Sequence, residues 1–324
     1  WQTDNRLTLP MSGTGSSAME ATLANTVEPG DTVLVAVKGY FGNRLMDMAG
    51  RYRANVQVIE KPWGEAFTLE ELEAGIKKHK PAILAMVHAE TSTGICQPMD
   101  GVGDLCREHD CLLLLDTVTS LGGVPLYLDA WKVDLAYSCS QKGLSCPPGL
   151  GPFTMGPRAE AKLSARQDKV PNWYLDVSLL NQYWGSDRVY HHTAPVNMNF
   201  GMREALRLLA EEGLENAWAR HRRNAEALWT GLESLGLEMH VPEELRLPTL
   251  TTVRIPPDVD GKAFSSHLLN THGIEVGGGL GVLAGKIWRI GLMGYNSTPE
   301  NVDRLLNLFE TELPRFRQSA AVAA

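Results

Sequence analysis

Positive charge is in short supply. The 324 residues carry 30 lysines and arginines against 38 aspartates and glutamates, a formal net charge of -8. A field of that sign repels phosphate backbones, so no nucleic-acid partner is expected without a local basic patch. The one short basic cluster, Arg220-His221-Arg222-Arg223, lies in a helix-like segment with Glu226 and reads as a solvated face. Cysteine is sparse: Cys96, Cys106, Cys111, Cys139 and Cys146 form no C-x-x-C pair. An odd count without paired spacing argues against a secreted disulfide framework. No His/Cys cluster has zinc-ligand spacing, so no metal is expected. No apolar run approaches the roughly 20 residues that cross a bilayer, and no membrane association is expected. Neither a G-x-G-x-x-G fingerprint nor a Walker A loop is present, which makes a nicotinamide dehydrogenase a remote reading. The chain begins Trp1-Gln2-Thr3-Asp4 without methionine or a targeting pattern, as expected of a fragment. Its last residues, 318–324, read as a frayed tail and do not form the Ser-Lys-Leu peroxisomal address.

What is present is an alternation of strands and helices. Apolar runs at 7–11, 33–37, 56–60, 83–88, 111–116 and 133–137 read as strands. Several are continuously apolar, as strands buried on both faces should be. Between them, a Thr68-Leu69-Glu70-Glu71 capping box opens a helix to about His79, and 100–110 reads as another. The pattern predicts βαβ units and a mostly parallel sheet covered by helices on both faces. Two long helical patterns follow, at 199–212 and 214–235, split by Gly213. Beyond them, a strand at 250–255, a helix at 262–271, a strand at 287–292 and a last helix from Thr298 to about Leu313 predict a smaller α+β unit. The expected division is a large unit at 1–213, a linking helix at 214–240 and a small C-terminal unit at 241–324.

In an open α/β sheet the ligand crevice lies at the carboxyl ends of the strands. Four polar loops fall there: 13–17, 88–94, 116–120 and 138–142. Gly13, Thr14, Gly15 and Ser16 make a glycine-rich turn into a helix, which aims backbone N–H groups and a helix dipole at one spot suited to phosphate. Lys142 stands between an apolar strand and a Gly/Pro-rich loop, where an amine can form a Schiff base if some of it is neutral. Asp116 ends a leucine-rich strand. An aromatic aldehyde cofactor with a phosphate would use all of these. Lys142 would form the imine, and Asp116 would pair with a protonated ring nitrogen and keep the ring an electron sink. Phe41 would stack on one ring face and Val118 on the other. Thr91 would bond the ring hydroxyl, and Gln141 or Thr193 the phosphate. Arg289, on an apolar strand, needs an anionic partner, such as a substrate carboxylate held by its planar fork. Each has an ordinary reading too: a solvated loop lysine, an aspartate capping its own turn, a plain N-capped turn, an internal salt bridge for Arg289.

The motifs are Ser12-Gly13-Thr14-Gly15, Glu90-Thr91-Ser92-Thr93-Gly94, Leu115-Asp116-Thr117-Val118-Thr119-Ser120, Ser140-Gln141-Lys142 with Pro147-Pro148-Gly149, Tyr190-His191-His192-Thr193, Gly213-Leu214-Glu215-Asn216, Arg246-Leu247-Pro248-Thr249 and Gly277-Gly278-Gly279-Leu280-Gly281 through Arg289-Ile290-Gly291. In this order, along nearly the whole chain, they resemble the alanine–glyoxylate (serine–pyruvate) aminotransferase family of class V, fold type I pyridoxal-phosphate enzymes. The resemblance implies pyridoxal 5'-phosphate on Lys142, Asp116 on the pyridine nitrogen and Arg289 on the substrate carboxylate. It also implies a homodimer with a shared active site, in which Tyr190 and Thr193 reach the partner subunit's phosphate site, and a peroxisomal or mitochondrial setting. Three departures stand out. Phe41 replaces a tryptophan common in animal members, Ser16 stands where histidine is frequent, and the family's N-terminal Gly-Pro-Gly-Pro segment, which wraps the partner, is absent.

The expected function is transfer of the amino group of L-alanine, or L-serine, to glyoxylate by a ping-pong mechanism, giving pyruvate or hydroxypyruvate and glycine. Other readings keep the cofactor: a 3-hydroxykynurenine transaminase, a kynureninase-like hydrolase, or a cysteine desulfurase, the last opposed by the lack of cysteine in 277–285. A further one is a truncated, non-catalytic homologue.

Overall fold

The structure, a computed structural model, describes residues 1–317; the tail expected to fray, 318–324, lies outside the described residues. In chain order the elements begin β1 (Leu7–Ser12), α1 (Gly15–Thr26), β2 (Thr32–Val37), α2 (Tyr40–Arg51), β3 (Asn55–Glu60), α3 (Leu69–His79) and β4 (Ile83–Val87). A small hairpin, β5 (Ala89–Glu90) and β6 (Ile95–Cys96), precedes α4 (Val102–Glu108), β7 (Leu112–Asp116), β8 (Leu135–Tyr137), β9 (Leu150–Met155), α5 (Pro157–Ser164) and α6 (Val177–Trp184). The chain then runs through α7 (Val196–Glu212), α8 (Leu214–Ser234), β10 (Leu250–Arg254), α9 (Gly261–His272), β11 (Gly277–Gly278), β12 (Ile287–Gly291) and α10 (Pro299–Glu312).

Seven strands form the main sheet in the order β1-β9-β8-β7-β4-β2-β3. Only β9 runs against its neighbours, so the sheet is mostly parallel as expected. The continuous apolar runs now have their cause. Val33, Val35 and Val37 of β2 face one core with Leu23 and Leu45, while Leu34 and Ala36 face a second with Leu72, Ile76 and Leu105. Leu112 and Leu114 against Leu113 and Leu115 repeat the alternation on β7. Both faces of β2 and β7 are buried, so a polar residue on either face would be buried without a partner.

Among the elements not announced by the sequence, two bear on the main sheet and the cavity. The aromatic segment after β2 is the start of α2, capped by Gly39. The Gly- and Pro-containing run LGPFTM is β9. Its Pro152 lies opposite Pro10 of edge strand β1, where a missing N–H is tolerated.

The second sheet, β10-β12-β11, is antiparallel. Its core stacks Phe264, Trp288 and Phe309 edge to face and takes in Ala225, Leu228, Trp229 and Leu232 from α8. This sheet is tied to the first by short bonds. Thr249 Oγ1 donates to Thr119 O at 3.0 Å, Thr252 Oγ1 to Thr93 O at 2.8 Å and Leu247 N to Gly94 O at 2.9 Å. Gly94, at φ +77°, is packed so closely that a Cβ would fall 2.6 Å from Thr252 Oγ1.

Candidate active site

The ends of β1, β4, β7 and β8 lie along one edge, and the loops leaving them enclose a cavity of about 280 Å³. Nine residues singled out from the sequence line it: Thr14, Gly15, Ser16, Phe41, Thr91, Asp116, Val118, Gln141 and Lys142. Gly13 adjoins them, its N–H donating to Gly149 O at 3.0 Å. Gly15 lets α1 begin directly on β8: a Cβ there would meet Cys139 Cβ at 2.8 Å and Ser138 O at 3.2 Å. The cap residue Thr14 makes no side-chain bond to the helix, and the first turn holds no acid. The first-turn N–H groups of a helix have no partner within it, so this end can receive an anion.

Besides Gly13, three predicted residues, Tyr190, Thr193 and Arg289, are not among the cavity-lining set. Tyr190 is 74% exposed, and its hydroxyl lies 3.3 Å from Thr193 Oγ1. Their loop is moored to β1 by a 2.6 Å bond between Ser12 Oγ and His192 Nε2. Arg289, half-buried on β12, donates from Nε to Gly278 O at 2.7 Å and from Nη1 toward Thr91 O at 3.5 Å. No carboxylate pairs with it among the described residues, so the internal salt bridge is not there.

Known proteins settle the family. The model described as aminotransferase class-V matches residues 3–305. Alanine–glyoxylate aminotransferase of Callithrix jacchus is 48% identical over 307 residues, covering 94% of this chain and 74% of that protein. The chain belongs to the class-V aminotransferases. The crystal structure of alanine–glyoxylate aminotransferase from Nostoc sp. shares 66% identity at a TM-score of 0.95, covering 96% of this chain and 82% of that one. Ureidoglycine–glyoxylate aminotransferase from Bacillus subtilis superposes at a TM-score of 0.95 with 42% identity, covering 97% of this chain and 81% of its own. The fold is therefore that of the fold type I aminotransferases, and family and neighbours together imply pyridoxal phosphate.

The residues of this aminotransferase fit that group. Asp116 is 2% exposed and has no cation paired to it among the described residues; Oδ1 accepts from Val118 N at 2.8 Å and Oδ2 from Tyr137 Oη at 2.6 Å. Burial pushes its carboxyl up to about 6, against the pull of those two donors. A buried acid aimed into a cavity suits a cationic ring nitrogen. The turn-capping reading of Asp116 is fulfilled, through Val118.

The sequence reading missed several neighbours. Arg44, one turn into α2, places its guanidinium 4.9 Å from the centre of the Phe41 ring and 3.4 Å from Ser16 Oγ, adding a cation beside the helix end. Glu90 is fully buried. Its Oε1 accepts from Ser92 N and Oγ, at 3.1 and 2.6 Å, and its Oε2 from Phe41 N and Gly42 N, at 3.2 and 3.3 Å. Burial raises its carboxyl as well. Lys38, buried behind it, donates to Val87 O, and desolvation lowers its ammonium to about 8 while Glu90 opposes the fall. His88 is held neutral, at about 3, by burial and then by Lys38. The one signal for these groups was a lone charge between an apolar strand and a glycine, at Lys38, and an acid in a small polar loop, at Glu90.

A buried acid with a raised pKa binds a proton in the folded chain that the unfolded chain has already released. The cofactor-free protein is therefore expected to lose stability as pH rises from about 4 through about 6, by up to about 3 kcal/mol at roughly 1.4 kcal/mol per pKa unit. Asp116→Asn should flatten that slope in urea unfolding at pH 4.5 and 6.5; an unchanged slope would place the titrating group elsewhere.

Proposed function

We propose that this aminotransferase moves the amino group of L-alanine, with L-serine as a second donor, to glyoxylate, giving pyruvate or hydroxypyruvate and glycine. The observation that carries the reading is the 66% identity, at a TM-score of 0.95, to a protein named for alanine and glyoxylate. The name of the Bacillus subtilis neighbour shares glyoxylate and differs in the donor.

In this reading Thr14, Gly15 and Ser16 with the first-turn N–H groups of α1, together with Gln141 and Arg44, hold the cofactor phosphate. Phe41 and Val118 hold the ring, Thr91 its hydroxyl and Asp116 its nitrogen. When bound, pyridoxal phosphate supplies a carbonyl that condenses with amines and a ring that draws electrons from Cα of the attached amino acid. Asp116 keeps a proton on the ring nitrogen, because a bare carboxylate at that depth is costly unless a cation faces it. The Lys142 amine removes the proton from the substrate Cα and returns it to the neighbouring carbon, serving as base and then acid. Arg289 holds the substrate carboxylate through its fork and so aims the Cα–H bond. The second half-reaction repeats these roles with glyoxylate in place of pyruvate. Each product must leave before the next substrate enters, so double-reciprocal plots should be parallel.

A homodimer belongs to the same proposal. Tyr190, Val196, Phe200, Leu206 and Leu208 are exposed in one continuous stretch, more apolar surface than a lone chain usually leaves uncovered. Tyr190 and Thr193 then serve the partner's phosphate site.

Three outcomes are expected. With L-alanine and glyoxylate, pyruvate formation followed through lactate dehydrogenase should fall on the order of 10³-fold in Lys142→Ala while cofactor still binds; turnover at the normal rate would remove Lys142 from the reaction. Arg289→Lys should raise KM for both L-alanine and glyoxylate about tenfold, because a point charge cannot replace the fork; an unchanged KM would leave the carboxylate to another group. Sedimentation should give twice the chain mass, and Tyr190→Ala should weaken cofactor binding. A monomer with full cofactor affinity would end the shared-site reading.

A further inference from the structure

The ends of α9 and α10 bring together three side chains that transamination does not use. His267 and His272 lie on α9, and Glu312 closes α10. One imidazole nitrogen from each histidine and one carboxylate oxygen of Glu312 lie within 4.8 Å of one another. His267 is already oriented: its Nε2 is 2.9 Å from Glu312 Oε2, and Thr271 Oγ1 sits 3.2 Å from its Nδ1. The Phe316 ring packs beside it with centroids 5.2 Å apart. Only 24% of the His267 side chain and 12% of the Glu312 side chain are exposed. His272 Nε2 is shut off from solvent and has no hydrogen-bond partner among the described residues. A buried imidazole nitrogen left without a partner is costly and calls for an explanation.

We propose that His267, His272 and Glu312 are a binding site for one divalent transition metal of the zinc type. Two imidazoles and a carboxylate are a familiar zinc donor set that leaves a fourth position for water. A hydroxyl on the far nitrogen of a ligating histidine, as Thr271 provides on His267, is the kind of outer contact that fixes the ring for a metal. Arg315 also donates to Glu312, at 2.5 Å, but to Oε2, the oxygen that His267 uses, and so leaves Oε1 to the ion. The metal sits where α9 turns toward β11, whose Gly278 carbonyl holds Arg289. It anchors that link from behind. The sequence reading passed over the His267-x4-His272 pair, whose spacing suits zinc, because its third ligand, Glu312, is 45 residues from His267 in sequence.

The test uses the full chain loaded with cofactor, stripped of metal by chelator and desalted. Zinc titration by calorimetry should show one ion per chain, and zinc should raise Tm. His267→Ala and His272→Ala should each weaken zinc binding at least about tenfold and abolish the rise in Tm. His79→Ala, on α3, should change neither. Cofactor absorbance and an unfolding curve establish that each variant is folded. Glu312→Gln, which keeps the side-chain shape, gives a further reading if one alanine variant is not. The same variants leave the Lys142 cavity intact, so zinc taken up by the cofactor would survive them. No stoichiometric uptake, or uptake unchanged by both histidine variants, overturns the site and leaves His267–Glu312 a plain ion pair.

Discussion

Glu90 has no solvent and four donors, and the cavity is arranged around that fact. Two donors come from its own loop and two from the first turn of α2, so a single carboxylate joins the segment carrying Thr91 to the helix carrying Phe41. A buried carboxylate stripped of its partners costs about 3–5 kcal/mol, which is why the loop and the helix cannot drift apart independently. The anion also sits at a helix N-terminus, where the backbone dipole favours it. The same charge is the main attraction felt by Lys38 and the one charge that steadies the Arg289 guanidinium against desolvation. Phe41, Thr91 and Arg289 are thus referred to one point.

The electrostatics that follow suit the proposed cofactor. Asp116 lines the cavity and Glu90 lies buried beneath the Phe41 turn, both raised by burial, while Arg44, Lys142 and a helix N-terminus also line it. In the proposed reading, cations lie where the phosphate would enter and an acid lies where the ring nitrogen would come to rest. A ligand with a phosphate at one end and a basic ring at the other is oriented before any specific contact forms. Tyr137, whose hydroxyl donates to Asp116, is pushed well above its ordinary pKa by burial and by that carboxylate, and so stays a neutral phenol there.

Much of this was legible in the sequence, and the parts that were not share a cause. Strands buried on both faces announce themselves as unbroken apolar runs, so β2, β4 and β7 and the loops at their ends could be read directly, and with them Lys142, Asp116 and the Gly15 turn. The start of α2 was hidden because Gly39 and two aromatic residues look like a turn. β9 was hidden because glycine and proline are poor strand formers, and pairing with an edge strand decides the matter there. Depth cannot be seen in a string of letters, so Lys38 and Glu90 looked like ordinary charges. Tyr190 was chosen by resemblance, and its place, like those of Thr193 and Arg289, depends on a loop and a second sheet that local pattern does not position.

The bonds of Thr252 and Leu247 across to Thr93 and Gly94 have a consequence for selectivity. In the proposed reaction the Lys142 amine is carried by one sheet's loops and the Arg289 guanidinium by another sheet, so they would behave as the two jaws of a caliper whose screw is this seam. Gly94 leaves no slack in the screw. Molecular length would then be measured by backbone packing beside the Arg289 jaw, where Thr252 is its cross-strand neighbour. A methyl group added at position 94 would reset the gauge without touching a single group that meets the substrate.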